Sequence, residues 1–200
     1  MRPDVLVTWP TSCDYPIWRR WLRDERDRFA RVIVSLSPSP GLPDLSEFVC
    51  TALDSLDVQI IDSRGRPGWD WRDAAVNAGL GASDAEWVWF TEQDFFVRDP
   101  TLWRVVRSLE DCSDVLGVRL DQRWHPCCLF VRRLLVEQTY RYFGSDPIDH
   151  FYTFGCELVD AGARFADLDD WLPGSYTHMA GLSHNHSLVD RGEPVTYRPD

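Results

Sequence analysis

The sequence predicts an α/β protein in which a mainly parallel central sheet is flanked by helices, and three observations predict it. Through the first half of the chain short β-branched runs alternate with segments of helical period, the arrangement that builds a parallel sheet covered by helices. The stretch Trp87-Val88-Trp89-Phe90 is apolar without alternation, as a strand buried on both faces requires. It runs straight into Glu92, Gln93 and Asp94 where the chain leaves the sheet, and ligands of open α/β sheets bind beyond the carboxyl ends of the strands. At 200 residues and 44% hydrophobic content, one domain over residues 1–200 is expected, because a chain of this size can bury a sizeable core.

Asp4 to Trp9 reads as the first strand, closed by Pro10 and the turn-forming Thr11 and Ser12. From Tyr15 to Phe29 a helix is expected, with Ile17, Trp18, Trp21 and Leu22 inward and Arg19, Arg20, Arg23, Asp24, Arg26 and Asp27 on a solvated, ion-paired face. Arg31 to Ser37 gives a second strand, and a short helix over 44–53 leads to a third over 57–62. Ser63 to Gly68, rich in Gly and Arg, opens onto a helix over 70–80. It reads equally as a diphosphate cradle at a helix N-terminus and as an ordinary connection. Pro100 starts a helix that turns Leu102, Trp103, Val105, Val106 and Leu109 inward. Strands over 114–120 and 127–131 flank a loop over 121–126, and a helix runs over 134–142. Asp149 precedes a helix with Phe151, Phe154, Leu158 and Val159 on its apolar side, so it reads as an N-cap or as a reactive carboxylate. A short strand follows over 164–168.

Composition narrows the chemistry. The net charge is −11 and the 21 basic residues are all arginine, a balance that works against a general polyanion-binding surface. The six cysteines lack CxxC spacing and read as buried reduced thiols, and adjacent Cys127 and Cys128 on a strand point to opposite faces, against a zinc site with His125. Most of the ten tryptophans are expected in packing, with a few at loop ends free to stack on a base or a sugar. No run reaches the ~20 apolar residues of a membrane span and no signal-peptide core precedes the first strand, so a soluble, cytoplasmic protein is expected. Glu92 and Asp94 point to the same side of an extended segment, as ligands of a hard cation do, although caps and solvated loop acids share that spacing. His178, His184 and His186 cluster in an irregular segment, open between a solvated loop and a metal or phosphate site.

With these elements in order, the chain resembles a GT-A-type glycosyltransferase of the inverting family 2 kind. Ala74-Ala75-Val76-Asn77-Ala78-Gly79 resembles that group's A-R-N-x-G helix, and Trp87 to Asp94 takes the place of its hydrophobic strand followed by D-x-D. Asp149-His150 ahead of a helix resembles the acidic pair that supplies its base. Glu92 stands for the first acid of D-x-D and Val76 for the arginine, with Arg72 one turn earlier on the same helix face. The resemblance implies a GT-A-like Rossmann-type sandwich with a donor-binding half over about 1–98 and an acceptor-side half over about 99–200.

It also implies a hexosyltransferase that moves a sugar from a nucleoside diphosphate sugar, a UDP-sugar first among them, to an acceptor hydroxyl with inversion. The donor would lie against Thr8, Trp9, Pro10, Ser37, Asp62, Arg72, Asn77, Glu92, Gln93 and Asp94. Mn²⁺ or Mg²⁺ would be held by Asp94 and Glu92 with His186 or His184. Asp149 would be the base, with Asp146 and Glu157 in reserve, and Trp124, His125 and His150 would line the acceptor side. The acceptor is a glycan, a small molecule or a hydroxymethylated nucleic acid base. Two rivals stand beside this reading: a non-catalytic nucleotide- or carbohydrate-binding relative, and a nucleotidyltransferase, for which the lysine-bearing phosphate loop is missing from this lysine-free chain.

Overall fold

The computed structural model describes residues 3–9, 23–36, 57–62, 71–92, 95–120, 123–139 and 152–178. Its strands are β1 (Asp4–Trp9), β2 (Val32–Leu36), β3 (Gln59–Asp62), β4 (Trp87–Glu92), β5 (Phe95–Val97), β6 (Val115–Leu120), β7 (Arg123–Arg132), β8 (Phe165–Asp167) and β9 (Tyr176–His178). Its helices are α1 (Trp71–Ala82), α2 (Leu102–Leu109), α3 (Arg133–Thr139), α4 (Tyr152–Asp160) and α5 (Leu168–Trp171), with a 3-10 turn at Arg26–Arg28. Seven strands form one sheet in the order β3-β2-β1-β4-β7-β6-β8, and β5 pairs with β9 in a second, two-stranded sheet.

The sheet corrects the expected mainly parallel, Rossmann-type sandwich. It is mixed: β7 runs antiparallel to both β4 and β6, and the β5–β9 pair is antiparallel as well. The cause is local. Only residues 121 and 122 separate β6 from β7, a hairpin connection, and a parallel partner would need a crossover of a dozen or more residues. The expected loop over 121–126 is therefore mostly strand. β7 begins at Arg123, and its irregularity is a bulge: Gly117 pairs with Leu129 and Arg119 with Trp124, so Val118 alone faces the chain over 125–128. Pro126, which cannot donate to a ladder, falls inside that bulge.

β4 is buried on both faces, as its unbroken apolar run predicts. Trp87 and Trp89 enter one core cluster with Phe29, Phe95, Leu102, Trp103, Val106, Phe130 and Leu168, while Val88 and Phe90 enter the other with Ile33, Val76, Leu129, Val136, Phe154 and Leu158. α2 and α5 thus cover one face, and α1, α3 and α4 the other. Trp89 is the hub of the first cluster. Its ring stacks on Phe130 at 4.9 Å and meets the edges of Trp103 at 5.2 Å and Phe95 at 6.1 Å. Two apolar expectations differ in detail: Val159 is exposed on α4, and Cys112 and Cys156 are exposed thiols, leaving Cys128 as the buried one among the described cysteines. Burial raises the Cys128 thiol far above its ordinary pKa.

Ion pairs stitch the edge of the sheet where β1 to β4 begin. Arg31 pairs with Asp84, Arg132 with Glu86 at 2.8 Å, and Arg164 with Asp114 at 2.8 Å. Arg26 pairs with Asp57 and Arg28 with Glu25, in keeping with the solvated, ion-paired face expected there. Of the helix expected over 15–29, the described part, 23–29, ends in the 3-10 turn at Arg26–Arg28 with Phe29 extended and buried; residues 15–22 and the helix expected over 44–53 lie outside the described residues.

Candidate functional site

The opposite edge, where the parallel strands end, gathers the polar residues. Thr8 on β1 is in register with Ser35 on β2 and with Glu92 on β4, and Leu36 is in register with Asp62. Trp9, Asp62 and Glu92 are the last residues of their strands. Because α1 runs back from this edge, ending where Arg31 donates to the Ala82 carbonyl at 3.2 Å, its first turn with Arg72 also belongs here. β7 opposes both neighbours, so the ends of β6 and β8 share the edge with β4. Polar residues of separate strands thus stand at the edge of the sheet beyond which open α/β proteins take ligands.

Two described walls flank this edge. On one side, the β5–β9 pair sets Phe95, three positions after the last residue of β4, opposite His178, the last residue of β9. Tyr176 anchors that pair: its ring stacks on Phe95 at 5.0 Å and its hydroxyl donates to Asp169 Oδ2 at 2.7 Å. On the other side, the β6–β7 hairpin carries Arg119 over the Trp124 ring at 5.7 Å, and Trp124 stacks on Phe165 at 4.7 Å. Asp167 caps α5 by accepting from the Asp169 amide at 3.0 Å, and burial raises its carboxyl above the usual range.

The backbone brings Thr8, Trp9, Asp62, Arg72 and Glu92 to one edge. Asp62 is exposed and Asn77 half-buried, one position past Val76, which is fully buried in the α1 core face. A charged side chain at position 76 would therefore enter the core, so this helix holds Val where the resembling group has arginine. Trp124 and His125 sit on a bulged strand instead of a free loop, and Trp124 is engaged in packing. Glu157 lies on α4 with Oε2 buried and no hydrogen-bond partner among the described residues. His178 falls on a strand, not in an irregular segment. Pro10, Ser37, Gln93, Asp94, Asp146, Asp149, His150, His184 and His186 lie outside the described residues, and so does the loop over 63–68. Among the described residues no three His, Cys, Asp or Glu side chains gather to hold a metal. The sequence reading missed Arg119, Asp167, Asp169, Tyr176 and Trp171. The Asp-Leu-Asp-Asp-Trp run over 167–171 was the available signal, acids and an aromatic directly after a strand.

No family model and no curated protein matches the sequence. Solved structures do match the fold. A mannosyltransferase from Pyrobaculum calidifontis, in complex with GDP-Man and Mn²⁺, matches at 19% identity and TM-score 0.56 over 84% of this chain and 55% of its own. Staphylococcus aureus TarS, in complex with UDP-GlcNAc, matches at 18% identity and TM-score 0.58 over 85% of this chain and 56% of its own. A nucleotidyl transferase from Methanothermobacter matches at 12% identity and TM-score 0.58, over 83% of this chain and 86% of its own. The chain thus has the broad fold of nucleotide-sugar and nucleotidyl transferases. It spans just over half the length of the first two. No helix among the described residues is long and apolar enough to cross a membrane.

Proposed function

We propose that the chain is a glycosyltransferase domain that moves a sugar from a nucleoside diphosphate sugar to an acceptor hydroxyl, with a donor-binding half over about 1–98 and an acceptor-side half over about 99–200. The observation that carries the reading is the register row Ser35, Thr8 and Glu92 at the carboxyl edge, where a strand buried on both faces delivers an acidic exit. The GT-A resemblance, of the inverting family 2 kind, and the sugar-handling structural neighbours agree with it.

In this reading Thr8, Trp9, Pro10, Ser37 and Asp62 bind the donor base and ribose, and Arg72 and Asn77 face the diphosphate. Glu92 and Asp94 suit Mn²⁺ or Mg²⁺ by their oxygen chemistry, with His186 or His184 as a further ligand; the pairing of His178 with Phe95, which sets the end of β9 beside the start of β5, supports the histidine part of this reading. Such a cation would neutralise charge on the departing diphosphate. Asp149 takes the proton from the acceptor hydroxyl as that oxygen attacks the anomeric carbon from the opposite face, giving inversion.

Thermal stability against a panel of nucleoside diphosphates and their sugars, with and without Mn²⁺, tests the donor. A native-state ligand at a hundred times its dissociation constant stabilises by ~2.7 kcal/mol. A metal-dependent shift that Asp94→Ala removes, with the variant still folded, supports the reading. Asp149→Asn should keep the shift and lose transfer. A nucleotidyltransferase remains the second reading because the chain spans most of the Methanothermobacter nucleotidyl transferase; release of pyrophosphate from a nucleoside triphosphate would favour it.

A further inference from the structure

We infer that Trp171 is a stacking platform for the acceptor, and that the acceptor is a neutral oligosaccharide. This rests on the glycosyltransferase reading and names the substrate class of the same edge. Among the described tryptophans, Trp87, Trp89 and Trp103 are buried and Trp124 is stacked on Phe165, while Trp171 is 58% exposed and makes no aromatic contact with the described residues. A single exposed aromatic is ordinary on a protein surface. Position and neighbours set this one apart.

Trp171 ends α5, whose N-cap Asp167 is the last residue of β8, on the carboxyl edge of the sheet. The helix is tied to the exit from β4 through two contacts: Asp169 accepts from Tyr176 at 2.7 Å, and Tyr176 stacks on Phe95 at 5.0 Å. Asp169 is therefore engaged, and Asp167 is engaged as the cap. Asp170 is exposed and makes no ion pair among the described residues. An exposed indole preceded along the same short helix by an exposed carboxylate supplies the two groups that recognise a pyranose: the C–H face of the sugar lies on the electron-rich ring and its hydroxyls donate to an acid at the margin of the platform. Flat aromatic ligands would use the ring but not the carboxylate.

Two consequences fix the class further. α5 packs beneath β6, which is two strands from β4, so Trp171's helix stands about 10 Å across the sheet from the acidic exit. The sugar on Trp171 is then not the one that reacts, and the acceptor extends over at least one more unit. Three carboxylates within α5 and its cap, on a chain of net charge −11, repel anionic polymers. Among glycans, that leaves uncharged ones.

Native gel electrophoresis of the full chain through gels containing dextran, mannan, soluble starch or hydroxyethyl cellulose, with heparin as the anionic control, tests the inference. At least one neutral polysaccharide should retard the protein, Trp171→Ala should weaken that binding about tenfold, and Trp171→Phe should keep most of it. Far-ultraviolet circular dichroism should show both variants folded, since the side chain is exposed. No retardation by any neutral polysaccharide, equal retardation of Trp171→Ala, or stronger retardation by heparin would overturn it. The nucleotide-sugar thermal shift is read separately on the same variants and should be unchanged, so a failed donor reading and a failed platform are told apart.

Discussion

Replacing Trp89 by Leu should cost about 3 kcal/mol of stability, the lower part of the range for truncating a large buried aromatic, because leucine refills some of the space. The side chain is fully buried and lies among four rings, with centroids of Phe130 at 4.9 Å, Trp103 at 5.2 Å, Phe29 at 5.4 Å and Phe95 at 6.1 Å. Each such pair contributes about 0.5–1.5 kcal/mol beyond area burial, so the loss comes chiefly from contacts that leucine cannot restore. For a chain of this size that is a fall in Tm of about 6–12 °C. Urea titration followed by far-ultraviolet circular dichroism reads the change as a lower midpoint at constant slope. Trp171→Leu, at an exposed position, is the internal control and should stay within about 0.5 kcal/mol. A loss below about 1 kcal/mol at Trp89, or equal losses at the two sites, would refute the assignment of Trp89 as the hub on which both the sheet and β5 rest.

Gly117→Ala should destabilise by about 1–3 kcal/mol, since an added Cβ would stand 2.8 Å from Leu129 Cδ1 and 3.1 Å from the Cys128 carbonyl; a chemical denaturation midpoint equal to that of the parent would contradict this close approach. Asp114, held at a pKa of about 2 chiefly by its hydrogen bond from Arg164, contributes stability that is whole above its ordinary 3.8 and lost as pH falls through about 2. The advantage over Asp114→Asn, about 1 kcal/mol for a pair whose arginine is largely exposed, should therefore be flat near neutrality and shrink between pH 4 and pH 2. Tyr176→Phe removes the donor to Asp169 and should cost about 1–2 kcal/mol, read most sharply as faster amide hydrogen exchange in β5 and β9 with the large sheet unchanged.

The strands of the first half were legible because their signal is local. β2, β3 and β4 are short β-branched or aromatic runs with breakers at their ends, and burial on both faces of β4 follows from a run without alternation. The sense of β7 was not legible, because Pro126 inside a strand reads as loop and the bulge that accommodates it depends on pairing with β6. β5 and β9 were missed for a related reason. Each is three residues long, and neither has any strand character until the other is beside it. At the site, Glu92 was legible as an acid at a strand end, while Thr8, Trp9 and Asp62 came only from the family resemblance; that their backbone positions share one edge follows from the parallel direction of β1 to β4. Asp169 and Tyr176 escaped notice because a carboxylate and a phenol seven positions apart carry no pattern; only the fold joins them.

The pairing of β5 with β9 joins segments nearly half the chain apart, which makes it a late event in folding. Closing so long a span costs about 4 kcal/mol of chain entropy beyond a constant, and a ribbon of three-residue strands does not return that by its own ladder. It has to wait for the surface that Trp89 and Phe95 prepare, and it should be the first element to open when the protein is stressed. The large sheet can therefore form, and resist proteolysis, in molecules whose β5–β9 ribbon has yet to pair. Abundance and competence of this protein are separate quantities, divided by the lifetime of one small ribbon.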